Sequence, residues 1–453
     1  VTRVKSRTGW IAASVAVVVL VVAVVVMAVM ASRNAVHVEA APTVAEVVAP
    51  PQAVGTDAES ELPAGFADEV AKVMEEAVGA DAMGNTVGMV SDAETGQLLW
   101  EKDPDEQVRP ASTMKILTGA AALLELDHEE TVETSVVQGN TPGTIILRGH
   151  GDPTLSADGE GFYPGAASIE DLAQQVNEYY SENAGNVISV LVETGPEDQE
   201  MHPTWTERGF EDGYVSPITL VSMDAGRTDP SYDGSPRTDD PSIAAAQELA
   251  ERVGAARTGE IDTSAIPEDA ANIAVVESAP LVTRVRQMMD HSDNVLAEAL
   301  GREVAEARGK PASFAGSAEA IVEVLQENDL LVPNGASPAD ASGLSVDNLL
   351  TAKQLHTVLA AAASPAGNAE LAPLLDSMPV AAVSGTLASR YNGTEGAGWV
   401  RAKTGTLDGT STLAGIVVTD SGRVLTFALL SNDVDVSAGR AGADKALSEL
   451  RQL

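Results

Sequence analysis

Read for alternation of apolar and polar positions, the chain divides into stretches of different physical character. Trp10 to Ala31 is an uncharged run dominated by Val and Ala, with Arg3, Lys5 and Arg7 before it. A helix needs about 20 apolar residues to cross a bilayer, and basic residues ahead of the span keep that end in the cytoplasm. Residues 1–33 are therefore expected to form an N-terminal membrane anchor, with the rest of the chain outside the cytoplasm. A cleavable signal sequence has a shorter apolar region of about 7–15 residues and is the second expectation, with Ala31 and Ala40 as small residues for cleavage. Residues 34–63 carry no lasting period and are interrupted by Pro42, Pro50 and Pro51, the pattern of an extended tether.

Order begins near Ala64, where a helical period runs to about Gly79. Thr86 to Val90 and Gln97 to Trp100 flank Asp92-Ala-Glu-Thr-Gly96, a strand, turn, strand signal. Thr144 to Leu147 and Val187 to Val192 are short strand signals among acidic loops, and Leu281 to Ala363 is mainly helical. Trp399 to Lys403, Ser411 to Thr419 and Val424 to Ser431 read as strands, and Gly439 to Leu453 as a closing amphipathic helix. This mixture predicts an α+β protein.

Composition narrows the function. The formal charge of −40 would repel nucleic-acid phosphates, so no nucleic-acid partner is expected. Aromatic residues make up only 3%, which leaves Ala, Val and Leu to fill the core. Without any cysteine, disulfides, thiolate metal sites and cysteine nucleophiles are excluded together. The six histidines show no metal-ligand spacing, so neither metal nor other cofactor is expected, and no Gly-x-Ser-x-Gly elbow occurs.

The candidate chemistry starts at Pro110-Ala-Ser-Thr-Met-Lys115, where an apolar helical run follows at once. Positions i and i+3 share a helix face, so Ser112 and Lys115 can share a hydrogen bond, and a desolvated lysine can take the serine's proton. The alternative is an N-cap serine followed by a solvated lysine. Ser112 is the only Ser-x-x-Lys in the chain. Ser292-Asp293-Asn294 and Lys403-Thr404-Gly405-Thr406 follow, each weak alone but telling in this order. His291, beside the second motif, is expected to be a neighbour pointing away from the site, since this chemistry needs no histidine; Asp152, Glu298 and Asp340 are expected to be structural.

The order Ser-x-x-Lys, Ser-x-Asn, Lys-Thr-Gly resembles the penicillin-binding proteins and serine β-lactamases. Gly151-Asp-Pro-Thr-Leu155, Asp340-Ala-Ser-Gly-Leu-Ser345 and Ser384-Gly-Thr-Leu387 with nearby Arg390 narrow the resemblance to the D-alanyl-D-alanine carboxypeptidase/endopeptidase family S13. The resemblance implies a serine DD-peptidase fold: a five-stranded antiparallel sheet flanked by helices beside a helical lobe, in two parts, 64–140 and 268–453, around an inserted lobe at 141–267. It implies Ser112 as nucleophile, Lys115 as its base, Ser292 as a proton relay, and Asn294 as a substrate contact that orients Lys115. Lys403, Thr404, Gly405 and Thr406 bind substrate, with Ser342 and Ser345 at the edge of the cleft. Backbone N–H groups of Ser112 and Thr406 form the oxyanion hole. The implied partners are a peptidoglycan stem peptide ending in D-Ala-D-Ala and β-lactam inhibitors. A β-lactamase and a non-catalytic β-lactam sensor are the competing readings.

Overall fold

The computed structural model describes residues 61–79, 83–183, 185–195, 200–206, 208–267, 270–332 and 336–453. The expected membrane anchor and nearly all of the tether lie outside them. Among the described residues no helix is long and apolar enough to cross a membrane.

The described chain opens with α1 (Phe66–Val78), β1 (Asn85–Asp92), β2 (Leu98–Lys102) and α2 (Lys115–Glu125). A middle section follows: β3 (Glu133–Gln138), β4 (Thr144–Gly149), α3 (Ile169–Glu182), β5 (Ser189–Thr194), α4 (Pro241–Val253), β6 (Arg257–Asp262) and β7 (Asn272–Glu277). Helices α5 (Leu281–His291), α6 (Asn294–Ala307), α7 (Phe314–Glu327) and α8 (Ala352–Ala363) come next. The last elements are β8 (Val400–Leu407), β9 (Thr410–Val418), β10 (Val424–Asn432) and α9 (Val436–Arg451).

The first sheet has the order β2-β1-β10-β9-β8 and is antiparallel throughout. Its central strand β10 is apolar on both sides because both faces are covered. Leu425, Phe427 and Leu429 join the cluster containing Phe66, Val70 and Met74 of α1 with Ala446 and Leu450 of α9. Ala428 and Leu430 face the other way, into the core built by α2, α5, α6, α7 and α8. The two-residue alternation of a strand thus feeds two separate cores. The four-residue spacing of Phe66, Val70, Met74 and Val78 puts one stripe of α1 on the sheet.

The second sheet has the order β6-β5-β4-β3-β7. Its β4, β5 and β6 run parallel, joined by crossovers through α3 and α4, which cover one face with Leu172, Val176, Ala246 and Leu249. These strands come from residues 133 to 277, a span that starts before and ends after the 141–267 expected for the insert. The reason is pairing: β3 and β7 hydrogen-bond to each other, so flanks that carry no insert signal of their own close the sheet.

Two further differences concern boundaries. The Lys403-Thr-Gly405 motif lies inside β8, which continues to Leu407, because Thr406 and Leu407 pair with Ser411 and Thr410 across the hairpin. Helix α9 begins at Val436 rather than Gly439, since the Asp435 side chain accepts from Ala438 N and caps it three residues earlier.

Candidate active site

Ser112 sits in a single 3₁₀ turn, Ala111–Met114, that runs into α2. Its hydroxyl caps neither element; it is the acceptor for Lys115 Nζ at 3.1 Å. Lys115 is completely buried, and Nζ also donates to Asn294 Oδ1 at 2.6 Å and to the Ser342 carbonyl at 2.7 Å. Three acceptors fix the amine in one place. Burial pulls its pKa down to about 8, against the opposing charges of Asp340, Asp293 and Glu298. A buried amine near 8 can exist neutral at working pH and accept a proton.

The second motif spans the junction of two helices, which explains its shape. Ser292 ends α5 with φ 57°, in the left-handed region, and Asp293 caps α6 by accepting from Leu296 N at 3.0 Å. Asn294 is then the first residue of α6, its amide shared between Lys115 and the Tyr214 carbonyl, to which Nδ2 donates at 2.9 Å. Ala111, just before Ser112, also has a positive φ of 47°. Such backbone persists in non-glycine residues only where packing fixes it, and here it stands at Ser292 and at the residue before Ser112.

Lys403 is the counterpart of Lys115 on the sheet. It too is completely buried, and Nζ donates to Ser292 Oγ and to the Thr404 carbonyl, each at 2.8 Å. Burial first, and the nearby Lys115 second, hold its pKa well below the ordinary lysine range. Its amine holds the Ser292 hydroxyl in place.

Strand β8 is the edge of its sheet. Ala402 N donates outward to the Pro379 carbonyl, so the two-residue period aims the Thr404 and Thr406 N–H groups off the same edge. The Thr404 hydroxyl donates to Thr386 Oγ1 at 2.9 Å, and Thr406 Oγ1 accepts from Arg440 Nη2 at 2.8 Å. Gly405 faces the Ser112 turn. A Cβ there would lie 2.1 Å from Thr412 Oγ1 and 2.8 Å from the Pro110 carbonyl, so only glycine lets the strand approach.

These groups open onto a cleft of about 850 Å³, lined by Ser112, Ser292, Asn294, Thr404 and Thr406 among others. Ser342 does not take the place expected for it. It is fully buried, its hydroxyl accepts from Leu344 N at 3.3 Å, and what it offers the site is the carbonyl that holds Lys115. Ser345 is likewise buried, its hydroxyl accepting from Thr204. His291, expected to point away, lines the cleft instead, with its ring packed against Phe162.

Sequence reasoning missed how the middle section reaches the second motif. Asp293 Oδ2 accepts from Tyr163 OH at 2.8 Å, Arg227 Nη2 at 2.9 Å and Arg237 Nη2 at 3.3 Å. Arg227 also lies over the Phe162 ring, 3.5 Å from its centroid, and donates to Asp233. Burial works to raise the Asp293 pKa, but the two arginines outweigh it and keep the carboxyl well below the usual range. Neither arginine has a local signal in the sequence; the middle residue of Ser292-Asp293-Asn294 was the one available hint.

A cleft serine hydrogen-bonded to a buried lysine, with a second lysine and serine across the cleft, defines a class: serine acyl-transfer sites of the Ser-x-x-Lys type. The chain belongs to the D-Ala-D-Ala carboxypeptidase 3 (S13) family, which it matches over residues 70–237 and 234–452. It is 43% identical over 381 residues to carboxypeptidase DacB of Mycolicibacterium smegmatis, covering 82% of this chain and 81% of that one. It is 30% identical over 423 residues to a D-alanyl-D-alanine carboxypeptidase of an Actinomadura species, covering 76% and 77% of the two chains. The fold is similar to the crystal structure of penicillin binding protein 4 from Haemophilus influenzae, with a TM-score of 0.67 and 20% identity over 83% of this chain and 97% of that one.

Proposed function

We propose that the chain is a serine-type D-Ala-D-Ala carboxypeptidase that cuts peptidoglycan stem peptides through an acyl-enzyme on Ser112. The observation that carries this reading is the placement of Lys115 Nζ, held by Asn294 and Ser342 at hydrogen-bond distance from Ser112 Oγ. As Oγ attacks the carbonyl of the penultimate D-alanine, its proton passes to neutral Lys115. The oxyanion is met by the N–H groups of Ser112 and Thr406, the latter on the edge of β8. Ser292, held by Lys403, relays a proton to the departing D-alanine amine. Water then hydrolyses the ester and restores Ser112.

Thr404 and Lys403 serve the terminal carboxylate of the substrate, and Asn294 its amide. The finer architecture fits this reading: the first sheet with its helical lobe is the DD-peptidase fold, and the middle section is an insert. The apolar run Trp10 to Ala31 supports an uncleaved anchor that keeps the site in the cell envelope, facing its substrate. Recovery of the native protein in the soluble cytoplasmic fraction would overturn that location.

The deciding assay offers a stem pentapeptide ending in D-Ala-D-Ala to the purified full chain. D-alanine release, with penicillin forming one slowly hydrolysed adduct that Ser112→Ala abolishes, is the expected result. Rapid penicillin turnover without D-alanine release would identify a β-lactamase, and stable acylation with neither product a sensor. Conversion of cross-linked dimers to monomers in the same digest would add endopeptidase activity.

A further inference from the structure

Helix α6 presents two residues to the lysine site, four positions apart and so on one face. Asn294 touches Lys115 directly. Glu298, one turn later, is completely buried and touches neither Ser112 nor the cleft. Its carboxyl oxygens instead accept two successive amides of the Asp340–Ser345 loop, Ala341 N at 3.2 Å and Ser342 N at 2.8 Å. The carbonyl that follows the second amide is the one on Lys115 Nζ.

The loop is clamped here from several sides. Thr118 of α2 donates to the Ala341 carbonyl at 2.6 Å. Gly301, three residues beyond Glu298, leaves the space that Ala341 fills, since a Cβ there would lie 2.6 Å from the alanine's own. Gly343 packs on the Ser112 turn, where a Cβ would meet the Ala111 carbonyl at 2.0 Å. The geometry points to Glu298 as a positioning residue for acylation, one that fixes the Ser342 carbonyl on Lys115 by holding the Ala341 and Ser342 amides. This rests on the reading of Ser112 as nucleophile and Lys115 as its base.

A purely packing role would act on stability alone, whereas a buried carboxyl this near the lysine also acts on its proton. Glu298 is faced by Asp340 and Arg302, and Lys115 by Asp340, Asp293, Glu298 and Lys403. Burial, with Asp340 second, pushes the Glu298 carboxyl up to about 8, the range in which Lys115 loses its proton. Each charge on Glu298 favours the protonated lysine, so removing it lowers the proton affinity of Lys115.

The test is single-turnover acylation of the detergent-solubilised full chain by a chromogenic cephalosporin, followed from pH 6 to 10 and normalised to folded protein. Loss of acylation in the wild type, or an adduct that survives Ser112→Ala, would defeat the functional reading itself. With that reading intact, Glu298→Gln should slow acylation by about 10- to 100-fold and move its acid limb to lower pH. Glu298→Asp, which keeps the charge but cannot reach both amides, should slow acylation with the limb in place. Wild-type rate and limb in Glu298→Gln, or a loss that only follows the folded fraction with the limb unmoved, would overturn the inference. If Glu298→Gln does not fold, Thr118→Val decides: it loosens the same loop without touching a charge, and an unchanged acylation rate in it would overturn the inference as well.

Discussion

Ser292 Oγ and Lys403 Nζ lie 2.8 Å apart although 111 positions separate the two residues. That contact joins the end of α5 to β8, the edge strand of the first sheet. It also pairs the two serines of the site with two buried lysines, Ser112 with Lys115 and Ser292 with Lys403. Each hydroxyl has a lysine amine within hydrogen-bond distance.

Acylation should depend on the neutral form of Lys115. Burial lowers the lysine pKa to about 8, so the acylation rate should climb as pH rises through that value and level off above it. Single-turnover acylation against pH measures this directly, and a flat profile would remove Lys115 as the base. Lys115→Met should lose roughly 10²- to 10⁴-fold in acylation rate at the plateau.

Asp293 should stabilise the fold through Arg227 and Arg237. Asp293→Asn leaves two buried guanidinium groups without their shared anion, a loss of about 3–5 kcal/mol at neutral pH by chemical denaturation. The sign of the pH effect follows from a folded pKa held below the unfolded one. The contribution is complete above about pH 4 and is lost as pH falls through the depressed value, so the gap between wild type and variant should narrow only in strong acid. A gap that stays constant down the acid range would contradict this assignment.

Thr404→Val keeps the shape of the strand but deletes a hydroxyl donor. A hydrogen bond to a charged group contributes about 1.5–3 kcal/mol, so D-alanine release should fall by roughly ten- to a hundredfold while the melting temperature stays near that of the wild type. An equal loss in Thr386→Val would assign the effect to their mutual hydrogen bond instead of the substrate carboxylate.

Gly405→Ala should harm both fold and chemistry. The new methyl collides with Thr412 Oγ1 and the Pro110 carbonyl, pushing β8 off the Ser112 turn. Overpacking of this kind costs about 1–3 kcal/mol, and thermal unfolding with penicillin acylation measured together should show both losses. Normal acylation in a stable variant would mean that the approach of β8 to the turn is not needed.

What the sequence alone determined is local. Ser112 and Lys115 meet because three residues along a helical turn bring them to one face, and β1, β9 and β10 follow from short apolar runs bounded by turns. The motif order carried the family, since each motif is a contiguous string. Tertiary structure decided everything that needed distant atoms to meet. Asn294 reaches Lys115 from 179 positions away, and Arg227 and Arg237 reach Asp293 from the middle section. Ser342, expected at the cleft as a hydroxyl, works through its carbonyl, and Glu298, expected to be structural, holds the loop that aims it. Hydrophobic periodicity records which face of an element is buried, but not which polar groups share that burial. Those partners are set by the packing of helices and sheets, and the depressed proton affinities of Lys115 and Lys403 exist only once that packing has removed water from both amines.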